Sequence, residues 1–197
     1  MKTQENKLMF RRRQVKRDLL WILISASLCF VTNTLLMLIP QQPVTEASYM
    51  NLDPVWLFVY ACIMAPPIEE FLCRYCLYNG IKHLMKKLFP RYIKLSAILA
   101  TFFSSLAFAL LHGSVALIIY TSILGLLFCI AYETESNIGI PILMHFTANL
   151  LSFLLIKFVT SFSPAFIIID MLLLTSTVIF SIILIRDATA VTGSAQH

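Results

Sequence analysis

This sequence has few charged residues. Only 13% of its 197 residues are charged, against 59% that are hydrophobic, which is far below the charge content of an ordinary soluble domain. Four long stretches contain no Asp, Glu, Lys or Arg at all: 19–39, 95–132, 138–156 and 171–185. Because a transmembrane helix needs about 20 mostly apolar residues, these stretches exclude a soluble globular protein and predict membrane spans.

The apolar stretches also lack the period-two alternation that is typical of barrel strands. We therefore predict an all-α, polytopic membrane protein, with about six transmembrane helices around a polar intramembrane cavity. The expected spans are 19–39, 55–80, 95–112, 115–131, 138–158 and 164–185.

The six apolar spans predict a single membrane domain at 19–186. A basic, cytoplasmic N-terminus at 1–18 precedes it, and a disordered tail at 187–197 is expected to follow.

The basic residues are clustered beside the spans. Seven of the fifteen Lys and Arg lie in the first seventeen positions, and five more lie at 82–94. Such clusters stay in the cytoplasm, next to anionic lipid, whereas the segment 40–54 has none and should face outward. We expect a multi-pass protein of a bacterial cell membrane with both termini cytoplasmic, anionic lipids at the basic loops and no nucleic-acid partner.

Several ionisable residues nevertheless lie within the predicted spans. Such side chains are costly in a membrane and usually mark a functional site. They are Glu69, Glu70, Arg74, His112, His145 and Asp170. Helix-breaking residues occur close to them, at Pro66, Pro67, Gly113 and Pro141. Together these features predict a polar site between interrupted helices.

Helical spacing assigns different roles to the two adjacent glutamates. Glu70 and Arg74 are four residues apart, so they share a helix face and are expected to pair. Glu69 lies roughly 100° around the helix from Glu70, which leaves its carboxylate free to act as a general base. The alternative is that all three residues form a buried ion-pair cluster that only fixes helix packing.

The same four-residue spacing recurs on two other spans. His145 and Asn149 project from one helix face and can donate two hydrogen bonds to one oxygen, which is the pattern of an oxyanion hole. Phe108 and His112 place an aromatic ring beneath an imidazole. A lone histidine near a helix end is usually structural, so His112 is a candidate only because Glu69 and His145 accompany it.

The depth of His112 is the weak point of this arrangement. Counting about 1.5 Å per residue places Glu69 and His145 at a similar depth, with His112 nearer the outer face. Either the third span starts later than residue 95, with the stretch 82–94 lying along the membrane surface, or the span is strongly tilted. We favour the later start.

Taken together, the three patterns resemble a known family, the CPBP (Abi) family of CAAX proteases and bacteriocin-processing or self-immunity proteins. The resemblance rests on Glu-Glu-x-x-x-Arg at 69–74, Phe-x-x-x-His at 108–112 and His-x-x-x-Asn at 145–149. Each motif is weak alone, but all three, in order and on separate spans, are specific. They cover a motif core of about 55–155.

The resemblance implies an all-helical intramembrane endopeptidase. Glu69 and His112 would activate water, and His145 and Asn149 would stabilise the oxyanion. The residues expected to support this site are Glu70, Arg74 and Phe108.

The resemblance also raises the question of a metal, because this family has been described as metallopeptidases. Glu69, His112 and His145 could supply three ligands to a catalytic zinc, with water as the fourth. We prefer a mechanism that requires no cofactor, because the amide of Asn149 suits an oxyanion better than it suits zinc.

The leading hypothesis is therefore an endopeptidase that cleaves a membrane-associated peptide or protein. Bacteriocin maturation, peptide-signal processing and self-immunity are the expected settings. One alternative is a non-enzymatic membrane immunity or scaffold protein that keeps these residues but acts by binding. Another is a small proton-coupled transporter, which would also use Glu and His but gives no reason for the pairing of His145 with Asn149.

Overall fold

The computed structural model describes residues 2–36, 38, 53–158 and 163–193. Across these residues the chain forms six helical runs and no strand. The helices are α1 (Lys2–Leu36), α2 (Pro54–Leu88), α3 (Ile93–Leu110), α4 (Val115–Glu135), α5 (Gly139–Phe158) and α6 (Ala165–Gly193). Five of them are long and apolar enough to cross a membrane, and the apolar part of α5, Gly139–Leu155, is shorter. The all-α polytopic prediction is confirmed.

Local sequence signals determine where the helices begin and end. The Asp53 carboxylate caps α2 by accepting the backbone N–H of Val55 (2.8 Å), and Pro54 occupies the first helical position, where its missing N–H costs nothing. The Ser114 hydroxyl caps α4 in the same way. Between α3 and α4, Gly113 adopts φ +79°, a conformation that residues with a Cβ rarely take.

Helix α2 is not a regular α-helix. Two stretches, Val59–Met64 and Phe71–Tyr78, have π-helical hydrogen bonding. They flank the α-helical segment Ala65–Glu70, which opens with Pro66 and Pro67. Proline lacks the N–H that a helix needs, and π-turns are frequent at functional sites. The candidate carboxylates therefore lie on the part of the chain with the most irregular backbone.

The helices pack into one bundle in which α2 contacts α3 and α5, α3 contacts α4, and α1 contacts α4, α5 and α6. A buried cluster that includes Trp21, Phe128 and Met144 fills the space between α1, α4 and α5. The far end of α2 is tied to α4, because the Tyr78 hydroxyl donates to Glu133 (2.7 Å) and Lys82 pairs with the same carboxylate. Many Leu, Ile and Phe side chains are exposed on the outside of the bundle, as lipid contact requires.

One boundary prediction is wrong. The third span does not start after residue 95, since α3 begins at Ile93. Most of the basic stretch expected along the surface instead continues α2 as far as Leu88. Helix α6 continues past Arg186 to Gly193, and residues 194–197 of the expected tail lie outside the described part of the chain.

A second ionic cluster joins the middle of α1 to the C-terminal end of α4. The Glu135 carboxylate, whose side chain is 2% exposed, accepts hydrogen bonds from Arg17 (2.8 Å), Trp21 (2.7 Å) and Gln14 (3.1 Å). A carboxylate at a helix C-terminus opposes the helix dipole. These three donors offset that repulsion and attach α1 to the bundle.

We expect Glu135→Ala to lower the free energy of unfolding by about 3 kcal/mol, because it leaves the guanidinium of Arg17 partly buried without a partner. Thermal unfolding in detergent measures the change. The matched control is Lys16→Ala, which breaks an exposed pair with Asp187 and should cost less than about 1 kcal/mol. Equal losses in the two variants would contradict the assignment.

Candidate active site

The ion pair predicted within α2 is present. Arg74 Nε lies 2.9 Å from Glu70 Oε2, and both side chains are fully buried. The geometry falls outside that of a hydrogen bond, so the attraction is between charges. Arg74 Nη2 also donates to the backbone oxygen of Gly125 on α4 (3.3 Å). The pair therefore ties α2 to α4 in addition to balancing two charges.

Glu70 has a further partner, which the sequence did not indicate. Its Oε1 atom lies 3.0 Å from Nδ1 of His145 on α5. Because an ionised carboxylate only accepts hydrogen bonds, Nδ1 carries a proton. The other ring nitrogen, Nε2, is then the one available to a substrate or water. Glu70 therefore orients His145 and selects the nitrogen that it presents.

Glu69 is the carboxylate left without a partner, as the helical spacing predicts. Its Oε2 atom is buried and accepts no hydrogen bond, although 27% of the side chain is exposed. Nε2 of His145 lies 3.8 Å from this atom. That separation is too long for a direct hydrogen bond. The two groups therefore face each other across a gap in which a reacting molecule can contact both.

His112 lies just beyond the end of α3 and is held by its own helix. Its Nδ1 is 3.0 Å from the backbone oxygen of Phe108, and a carbonyl only accepts, so Nδ1 carries a proton here too. The Phe108 ring contacts both His112 (4.9 Å between ring centres) and His145 (5.4 Å). It also lies 4.8 Å from the guanidinium of Arg74. One phenyl ring therefore packs against both imidazoles and the buried ion pair.

A hydrogen bond fixes the position of α3 along α2 close to the candidate site. Ser104 on α3 donates to the backbone oxygen of Cys73 on α2 (2.6 Å), which fixes the two helices at that level. Helical side chains point toward the helix N-terminus, and the imidazole of His112 folds back by one turn onto Phe108. His112 is thereby linked to His145 through the Phe108 ring, which contacts both imidazoles.

Asn149 lies one turn along α5 from His145, but its amide is already engaged. Nδ2 donates to the backbone oxygen of Ala61 on α2 (2.7 Å). One of the two N–H groups expected to face an oxyanion therefore bonds to the irregular part of α2.

The set of three residues considered for zinc does not form a metal site in this structure. Among the described residues, no group of three or more His, Cys, Asp or Glu side chains has a geometry that could hold a metal ion. Glu69, His112 and His145 belong to that part of the chain, so we derive no step through a metal.

An apolar groove opens beside these residues. It has a volume of about 240 Å³ and lies between α2 and α5, with Pro66, Pro67, Leu143 and Phe146 among its lining residues. Pro66 and Pro67 precede Glu69 by three and two residues, and Phe146 directly follows His145. The groove therefore runs along α2 and α5 within one helical turn, in sequence, of Glu69 and His145.

Comparison with known families identifies this arrangement. The family model described as type II CAAX prenyl endopeptidase Rce1-like matches residues 51–151. The chain belongs to this family. The match spans α2, α3, α4 and most of α5, and so includes all three sequence motifs. No curated protein and no solved structure gives a significant match.

Membership in the CAAX endopeptidase family confirms the resemblance drawn from the motifs. It supports intramembrane endopeptidase activity in general, in a multi-pass membrane protein. Two residues of this family member that contact the site were missed by sequence analysis. Phe128 stacks on His145 (5.5 Å between ring centres), and Gly125 accepts from Arg74. Both are apolar residues in an apolar helix, so no local pattern distinguishes them.

Proposed function

We propose that this CAAX endopeptidase family member hydrolyses a peptide bond with water that Glu69 activates. The observation that carries the proposal is the contrast between the adjacent carboxylates. Glu70 is bound to Arg74 and His145, whereas the Oε2 atom of Glu69 is buried without a hydrogen bond and lies 3.8 Å from His145 Nε2. A carboxylate kept free in this way suits a general base.

The proposed chemistry begins when Glu69, together with His112, takes a proton from a water molecule. The hydroxide attacks the carbonyl carbon of the substrate, and the carbonyl oxygen becomes an oxyanion. Nε2–H of protonated His145 donates to that oxyanion, while the Glu70 carboxylate on Nδ1 stabilises the imidazolium, as a carboxylate does in a catalytic triad. The C–N bond then breaks, and the proton held by Glu69 passes to the leaving amine.

The substrate we propose is a membrane-associated peptide or protein whose apolar segment lies in the groove between α2 and α5. By its description, the family acts on prenylated CAAX proteins. For this chain we propose bacteriocin or peptide-signal precursors, or targets in self-immunity. The proposed location is a bacterial cell membrane, with both termini cytoplasmic and the basic segments beside anionic lipid.

The experiment compares wild type with Glu69→Gln, expressed at matched levels in the native host. Mass spectrometry then identifies new peptide termini in membranes and medium. We expect a small set of termini that appears with wild type and falls by at least about 100-fold in the variant, because an amide cannot take the proton.

The matched control is Asp53→Asn, which makes the same acid-to-amide change outside the site. Asn caps helices as well as Asp does, so this variant should yield the wild-type termini. If wild type and Glu69→Gln produce identical termini while any protective phenotype persists, the carboxylate is structural. The protein would then act by binding, as an immunity or scaffold protein.

A further inference from the structure

The two prolines at the break in α2 remove two backbone donors, and one of the oxygens affected is that of Ala61. In the π-turn before the break, the N–H of Ala65 donates to the oxygen of Tyr60, five residues earlier. In the same register, the donor to Ala61 would be the N–H of residue 66. That residue is proline and has none. The Ala61 oxygen would therefore lie unbonded inside the membrane, where water cannot substitute.

Asn149 supplies the missing hydrogen bond, since its Nδ2 donates to the Ala61 oxygen at 2.7 Å. On the same face of α5, four residues earlier, His145 contacts Glu70 on the other side of the break. Helix α5 therefore holds α2 at two levels, one before Pro66 and one after it. The orientation of Glu69 relative to His145 depends on both attachments.

We infer that Asn149 is a positioning residue that replaces the hydrogen bond Pro66 cannot make, and so keeps Glu69 in register with His145. This inference rests on the proposed function and changes one role within it. On the oxyanion assignment, Asn149 acts on the substrate. On the present inference it acts through the α2 backbone, and its loss can be repaired on α2 itself.

The repair is Pro66→Ala, which restores a backbone N–H in the register that serves Ala61. We expect Asn149→Ala to reduce the wild-type-specific peptide termini by roughly 10- to 100-fold, the range expected for a small misplacement of catalytic groups. It should also lower Tm in detergent by about 3 °C or more. In Asn149→Ala/Pro66→Ala both quantities should return to the level of Pro66→Ala alone.

Pro67→Ala is the matched control. It also restores a backbone N–H, but one residue later in the chain, where the acceptor in the same register is not Ala61. It should therefore rescue neither the Tm nor the termini of Asn149→Ala. Rescue by Pro67→Ala as well would show that any relaxation of the break suffices, and would overturn the specific hydrogen bond.

The two readouts separate this inference from the proposed function. If no variant, wild type included, produces specific termini, the proposed function fails, and the Tm cycle still decides the inference. If Pro66→Ala restores Tm but leaves cleavage at the Asn149→Ala level, Asn149 acts on the substrate and the positioning role is overturned. An unchanged Tm in Asn149→Ala overturns it as well.

Discussion

Glu70→Gln is expected to abolish detectable proteolysis and to lower the free energy of unfolding by about 3 kcal/mol. The amide no longer balances Arg74, which is fully buried, and an unpaired buried charge is costly. The amide also weakens the hold on His145 Nδ1, which lies 3.0 Å from Glu70. Loss of a carboxylate that orients a catalytic histidine lowers the rate by about 100-fold or more.

A double variant separates the two effects of Glu70. Glu70→Leu/Arg74→Met removes both charges and fills the space with apolar atoms, so the free energy of unfolding should recover to within about 1 kcal/mol of wild type. Proteolysis should stay lost, because His145 Nδ1 still has no acceptor. Denaturation in detergent and mass spectrometry of peptide termini measure the two quantities. If the double variant cleaves as wild type does, the role of Glu70 is only to balance the charge of Arg74, and it does not orient His145.

Gly125→Leu is expected to cause the second large loss. A Cβ atom at this position would lie 3.2 Å from a ring carbon of Phe108 and 3.3 Å from the backbone of Ser105. A leucine therefore forces α3 away from α4 and displaces the ring that packs against both imidazoles. Overpacking of this kind costs about 1–3 kcal/mol, and misplaced catalytic groups should lower cleavage by about 100-fold.

The comparison for Gly125→Leu is Gly80→Leu, which makes the same substitution on α2. A Cβ at Gly80 would meet nothing within 4 Å, and leucine favours a helix more than glycine does. This variant should keep full cleavage and gain slightly in thermal stability. Similar cleavage by the two variants would mean that close contact between α3 and α4 does not position Phe108.

Sequence patterns predicted those features that depend on spacing within one helix. The pairing of Glu70 with Arg74 follows from four-residue spacing, and the freedom of Glu69 follows from its angular offset. Contacts between helices were not predictable in this way. The link from Glu70 to His145 depends on how α2 and α5 are oriented, and apolar stretches carry no signal of orientation.

In the fold, too, features that depend on single residues were predicted and features that depend on contacts between helices were not. The breaks at Pro66 and Gly113 are local properties of single residues, so the sequence located them. The start of α3 was mispredicted because counting residues along each helix gives only the depth of a backbone position. It leaves out the direction of the His112 side chain. The bond from Asn149 to Ala61 was missed because a free carbonyl is a property of the backbone, invisible in side-chain motifs.

The attachment of α2 to α4 through Glu133 bears on how the protein responds to the thickness of its bilayer. Helix α2 has 35 residues, whereas a hydrocarbon core of about 30 Å needs only about 20. An overlong helix normally adapts by tilting, to an extent set by the surrounding lipid. Tyr78 and Lys82 instead fasten its far end to the neighbouring helix. The depth of Glu69 is thereby set from inside the protein, and thicker or thinner membranes should deform around the bundle and leave the site intact.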